Sequence, residues 1–171
     1  MRSQNNLIDK YFDYPIFFDL ILVIVFWFLS ANVSIFNLVL TDKNNQINII
    51  PNIISADFAF AGFILAALTI IVTFRSNIQT KNLNEASNAL ELIFSTNNYN
   101  KIVKVFRLSL VELVLCYIFL FCSWLSIDNF DIWEIHRINI TGIIVTTFSI
   151  GRSLFILFIV IDLDKHERSN K

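Results

Sequence analysis

Four runs of apolar residues decide what this chain can become: residues 16–40, 58–74, 108–126 and 138–161. Each has the length, about 17–25 residues, that a helix needs to cross a bilayer core. Backbone groups in lipid have no water to bond, so helices that satisfy their own N–H and C=O groups are the form open to such runs. Composition agrees. Apolar residues make up 56% of the 171 positions and charged residues 16%, with 18 Phe and 3 Gly. A small soluble domain has to present more polar surface than that. The expected fold is an all-α membrane protein: one four-helix transmembrane domain over residues 1–171, with the lipid bilayer as its first partner.

Basic residues set the expected threading. Arg2 and Lys10 precede the first run, Arg75, Lys81, Lys101, Lys104 and Arg107 lie between the second and third, and Lys165, Arg168 and Lys171 follow the fourth. The other two connections hold only Lys43 and Arg137. Positive charge in short loops collects on the cytoplasmic side. Both termini are therefore expected in the cytosol and residues 41–57 and 127–137 outside, in a multi-pass protein of the bacterial inner membrane. The first run is not read as a cleaved signal, because no small-x-small site follows it and the apolar stretch resumes through "IFNLVL". Trp124 and Trp133 are expected near the outer interface and Tyr11 and Tyr14 near the inner one. Cys116 and Cys122 sit on different faces of one helix and read as small buried hydrophobes.

The one sizeable polar connection, residues 75–107, reads as a cytosolic amphipathic helical hairpin. Leu83, Ala86, Leu90, Ile93 and Phe94 recur at helical spacing, with Asn84, Glu85, Asn88 and Glu91 opposite. After the break at "STNNYN", Asn100 is a candidate cap for the helix that runs into the third span. The apolar face either packs on its own bundle or docks a soluble cytosolic protein through Leu83, Leu90, Ile93 and Phe94.

At 100° per residue each span carries a small or hydroxylic stripe. The stripes are Ser30, Ser34 and Asn37 on the first span, Gly62, Ala66, Thr69 and Thr73 on the second, Ser109, Glu112, Cys116 and Ser123 on the third, and Gly142, Thr146, Ser149 and Ser153 on the fourth. In a bilayer such faces turn inward for close helix packing, or they line a polar path. Both readings stay open on sequence.

Charges within the spans are more selective, since each costs at least ~2.5–3.5 kcal/mol at the bilayer centre. Arg152 lies ~15 Å from the cytosolic end of its span, Glu112 ~6 Å deep and Asp19 ~5 Å deep. An arginine side chain can snorkel several ångströms. Arg152 is therefore expected to form a forked, bidentate pair with Glu112, or secondarily with Asp19. The pair is a clamp between helices, or a functional charge in an ion pathway or gate; contact with lipid headgroups is the third reading. Asp57 and Asp162, at span ends, read as solvated.

Nothing points to catalysis. His136 and His166 are expected on opposite sides of the membrane, and no nucleophile elbow, zinc-protease, Walker or C-x-x-C pattern occurs. The reading is a non-enzyme with no catalytic residues, no metal, no cofactor and no direct nucleic-acid partner.

The "GFILAALTIIVTF" second span, the hairpin interrupted at "NNYNKI" and the arginine-bearing "GRSLFILFIVID" resemble the small four-span bacterial membrane proteins of uncharacterised function. Some of those are components of anti-phage defence systems. The resemblance implies an inner-membrane, oligomer-prone protein that acts with a soluble partner and senses or disrupts the membrane. With no soluble ligand-binding domain of its own, the chain fits a subunit role better than that of a self-contained effector. The alternative is a small ion channel or transporter with an Arg/Glu pathway.

Overall fold

The computed structural model describes residues 10–12, 14–32, 42–78 and 98–169. Its long elements are four helices: α1 Pro15–Asn32, α2 Lys43–Ile78, α3 Asn98–Leu125 and α4 Ile132–Ser169, with a 3₁₀ turn at Ile127–Asn129. No strand occurs among the described residues. Lys43–Thr73, Tyr99–Leu125 and Ile132–Asp162 are long and apolar enough to cross a membrane, and Pro15–Leu29 is a shorter apolar helix.

Two boundaries differ from expectation for a local reason. The stretch from Lys43 to Asp57, expected as a loop, is the first part of the 36-residue α2. Gln46 turns inward and is buried while Asn44, Asn45, Asn48 and Asn52 are exposed, and the helix starts where Asn45 and Gln46 N–H both bond the Asp42 carbonyl. Pro51 lies inside this helix and removes one backbone donor. At the other boundary α4 starts at Ile132, six residues before the expected span. A capping box sets that start: Glu134 N–H donates to Asp131 Oδ1 (2.8 Å), and Asp131 N–H donates to Glu134 Oε2 (2.9 Å). Asn100 is not a cap. It lies inside α3, where its Oδ1 accepts from Arg75 Nη1 at 3.4 Å.

α3 runs antiparallel to α2 and α4, which run parallel to each other. Lys43 of α2 donates to the Phe130 carbonyl at one end (2.9 Å), and the Arg75 guanidinium sits 3.9 Å over the Tyr99 ring at the other. α2, α3 and α4 pack on one another, while α1 lies mainly along α4. Its Trp27 indole donates to Thr141 Oγ1 at 3.0 Å and to the Arg137 carbonyl at 3.3 Å.

Large apolar side chains cover the outside: Phe28, Phe58, Leu125 and Phe158 are each at least 60% exposed. A soluble protein does not show so much contiguous apolar surface; against lipid it is the ordinary outer face. The interior holds two apolar clusters. One, toward the Ile78 end of α2, contains Ile64, Ile71, Phe106 and Leu113. The other, toward the Lys43 end, contains Ile50, Ile53, Leu120, Ile135 and Ile138. Between them lies a polar belt.

Candidate functional site

One end of the belt is built around Arg152. Its side chain is buried on α4, and its fork is divided among four partners rather than spent on one carboxylate. Nη2 donates to Glu112 Oε2 of α3. Nη1 donates to Asp19 Oδ2 of α1 at 3.0 Å and to Tyr11 Oη at 3.2 Å, and Nε donates to Ser109 Oγ of α3 at 3.3 Å. The bidentate Glu112 pair is thus corrected. Two acids face the guanidinium from different helices, and the planar fork is what lets one cation serve both. Arg152, Glu112 and Asp19 are brought together, each 5% exposed or less. Tyr11, expected as an interface marker, closes the cluster from the chain preceding α1.

Small residues on α4 let the neighbours approach. Gly142, Thr146, Ser149 and Ser153 are all buried. A Cβ on Gly142 would come within 3.1 Å of Leu120 Cδ2 and 3.2 Å of Ile53 Cγ2, so α2 and α3 both press on the helix there. Ser149 Oγ donates to Glu112 Oε2 at 2.7 Å. The stripe on α3 is inward as well, with Ser109, Glu112, Cys116 and Ser123 buried.

The stripe on α2 points the other way. Gly62, Ala66, Thr69 and Thr73 are exposed, and nothing lies within 4 Å of where a Gly62 Cβ would be. The face that α2 buries is the one carrying Asp57, Ile64, Ala67 and Ile71. Thr69 and Thr73 bond back to carbonyls one turn earlier, each at 2.8 Å. Cys122 is also exposed, contrary to expectation, while Cys116 is buried. Leu83, Leu90, Ile93 and Phe94 of the expected docking face, with Ser34 and Asn37, lie outside the described residues.

Asp57 is the site residue that reading by spans missed. Placed at a span end it looked wet; inside the longer α2 it is 1% exposed. Thr146 Oγ1 lies 2.6 Å from its Oδ1. Further toward the Lys43 end, Asn139 Nδ2 donates to both the backbone carbonyl and Oε1 of Gln46, at 2.9 and 2.8 Å. His136 is buried close by in sequence. Asp57 Oδ2, His136 Nε2 and Asn139 Oδ1 are buried with no hydrogen-bond partner. The signal for this second group was the row Gln46, Ile50, Ile53, Asp57, which recurs at three and four residues on one helix face and ignores the expected loop boundary.

From Asn139 to Arg152 the polar row follows about 20 Å of α4, two-thirds of a bilayer core. Its ionisable content is unbalanced, since three acids, Asp19, Glu112 and Asp57, share the row with a single guanidinium that pairs with the first two. Such an arrangement can hold, exchange or pass a positive ion. No protein family, curated protein or solved structure matches the chain.

Proposed function

We propose that this protein is a small multi-pass membrane protein that moves or senses protons or other small cations through the interior of its helix bundle, with no chemical catalysis of its own. The observation that carries the reading is the buried row from Tyr11, Asp19 and Arg152 through Glu112 and Asp57 to Asn139 and Gln46, in which acids outnumber the cation. Intramembrane ionisable groups are costly enough that function is the default explanation for several in one row. On this reading all four helices span the bacterial inner membrane, and both termini face the cytosol, where Arg75, Lys101, Lys104, Arg107, Lys165 and Arg168 would lie.

The test is ion flux in liposomes that contain the purified chain and a trapped pH dye, with a potassium diffusion potential as the driving force. Flux above protein-free liposomes, reduced in Glu112→Gln at equal incorporation, is expected. Traces that overlay those of empty liposomes at every pH and potential would remove the reading.

The exposed Gly62, Ala66, Thr69 and Thr73 face supports a second reading, in which the chain is a self-associating subunit. Small-x-x-x-small faces let transmembrane backbones approach closely. A soluble partner would then act on the assembled form. Gly62→Leu should reduce cross-linked oligomer in native membranes without lowering insertion, and unchanged oligomer would count against it.

A further inference from the structure

Asp57 lies level with the middle of the polar belt, yet the guanidinium does not reach it. Arg152 is about 9 Å further along α4 from Thr146 and already serves Asp19 and Glu112. On α3 the ionisable groups facing Asp57 are Cys116, whose thiol lies beside the carboxyl, Tyr117, and Glu112 one turn away. On α4 the neighbour is Thr146, which carries no charge. Asp19 of α1 is held by Arg152. Among the described residues no cation faces Asp57.

Proton bookkeeping at Thr146 bears on the state of that acid. Thr146 Oγ1 is 2.6 Å from Asp57 Oδ1 and 2.7 Å from the Gly142 carbonyl oxygen. A hydroxyl has one proton to donate. When it serves the Gly142 carbonyl, as a threonine in a helix commonly does, the 2.6 Å contact requires a proton from the other side. A neutral Asp57 supplies it by donating from Oδ1. An ionised Asp57 would have only the neutral Thr146 hydroxyl and Cys116 thiol beside its charge, with Oδ2 buried and without a hydrogen-bond partner.

We propose that Asp57 is a proton-binding site of the membrane interior, neutral at rest and reached from the lipid-facing groove between α2 and α3. The oxygen set fits a proton and not a metal cation. It offers the carboxyl and one hydroxyl, whereas hard cations take six or more oxygen ligands. Access runs through a pocket of about 50 Å³ lined by Asp57, Phe58, Ala61, Leu113, Val114 and Tyr117. Phe58 and Val114 are exposed, and the Phe58 and Tyr117 rings meet edge to face with centroids 4.6 Å apart. The lining is almost wholly apolar, so a lipid-soluble molecule enters it more readily than a charged one. This site deepens the proposed ion-handling function by naming the ion and the atom that holds it.

A hydrophobic carbodiimide reads the site directly. The acid gives its proton to one carbodiimide nitrogen, the carboxyl oxygen bonds the central carbon, and an oxygen-to-nitrogen acyl shift leaves a stable N-acylurea with no leaving group. The full-length chain in detergent micelles, treated with dicyclohexylcarbodiimide and mapped by mass spectrometry, should carry the adduct on Asp57. Asp19 and Glu112, both held by the Arg152 guanidinium, should label far less than Asp57. Labelling should fall as the pH is raised from mildly acidic to alkaline, and a charged, water-soluble carbodiimide should label far less. Asp57→Asn, whose amide can donate to Thr146 as the neutral acid does, should abolish the adduct and leave the melting temperature unchanged. Adduct on Glu112 or Asp19 with Asp57 clean, no adduct on any of the three, or severe destabilisation by the asparagine would each overturn the assignment. Labelling needs no transport, so failed flux with a labelled Asp57 removes the function and keeps the site; flux with an unlabelled Asp57 does the reverse.

Discussion

Arg152 Nη1 sits 3.0 Å from Asp19 Oδ2, and this buried ion pair ties α1 to a core that α2, α3 and α4 build among themselves. The same guanidinium holds Glu112 of α3 through its other terminal nitrogen. One side chain therefore joins three helices, and its loss leaves two buried acids without their cationic partner.

Arg152→Gln should cost on the order of 3–5 kcal/mol, the usual penalty for breaking a buried ion pair by removing one partner. Arg152→Lys should fall between, because an ammonium cannot span two carboxylates with a planar fork. Replacing all three charges together (Asp19→Leu, Glu112→Met, Arg152→Met) should restore most of the stability, since apolar groups of similar volume avoid the desolvation penalty. Melting in detergent gives the stabilities, and liposome flux gives the function. A triple variant that is stable and still conducts would leave the charges as structural only.

Trp27→Phe should loosen α1 alone. The indole N–H donates to Thr141 Oγ1 at 3.0 Å, and the phenyl ring keeps the bulk but not the donor. A loss of about 1 kcal/mol is expected. Backbone hydrogen exchange should accelerate in α1 and not in α2 or α3, because α1 meets the bundle chiefly along α4.

How far the sequence led depended on which signal was used. Run length found the apolar helices, since lipid permits no other form, and the cost of intramembrane charge picked out Arg152, Glu112 and Asp19 before any contact was known. Run length also misplaced the start of α2. Lys43 to Asp57 is polar in composition, and a window that averages over all faces takes a half-polar helix for a loop. Facing was harder still. Both Gly62–Ala66 and Gly142–Thr146 carry a small pair at a spacing of four, yet only the second is buried, because Asp57, Ile64 and Ile71 claim the inner side of α2. Tyr11 was read by residue type and not by reach. The capping box at Asp131 and Glu134 was visible as D-x-x-E and dates the start of α4 correctly.

That capping box makes its own prediction. Asp131→Ala removes the acceptor for Glu134 N–H at 2.8 Å and should cost about 1 kcal/mol, with Glu134→Ala costing less. The double variant should lose little more than the larger single, since the two bonds are reciprocal. Denaturant midpoints in mixed micelles would show whether the effects add.

Gly142 and Gly62 offer a matched pair of substitutions on opposite kinds of surface. Leu120 and Ile53 stand 3.1–3.2 Å from a Cβ at Gly142, so Gly142→Leu has to push α2 and α3 off α4. Overpacking of this kind should cost about 1–3 kcal/mol. It should also displace Thr146 from Asp57 one turn further on, and so raise or abolish carbodiimide labelling without any change in charge. Gly62 meets nothing within 4 Å, so the same leucine there should leave melting and labelling unchanged. Any defect in Gly62→Leu then belongs to contacts beyond the single chain, and cross-linking in native membranes would show it as lost oligomer. If Gly62→Leu instead melts like Gly142→Leu, α2 packs with its small face inward, and the placement of Asp57 falls with it.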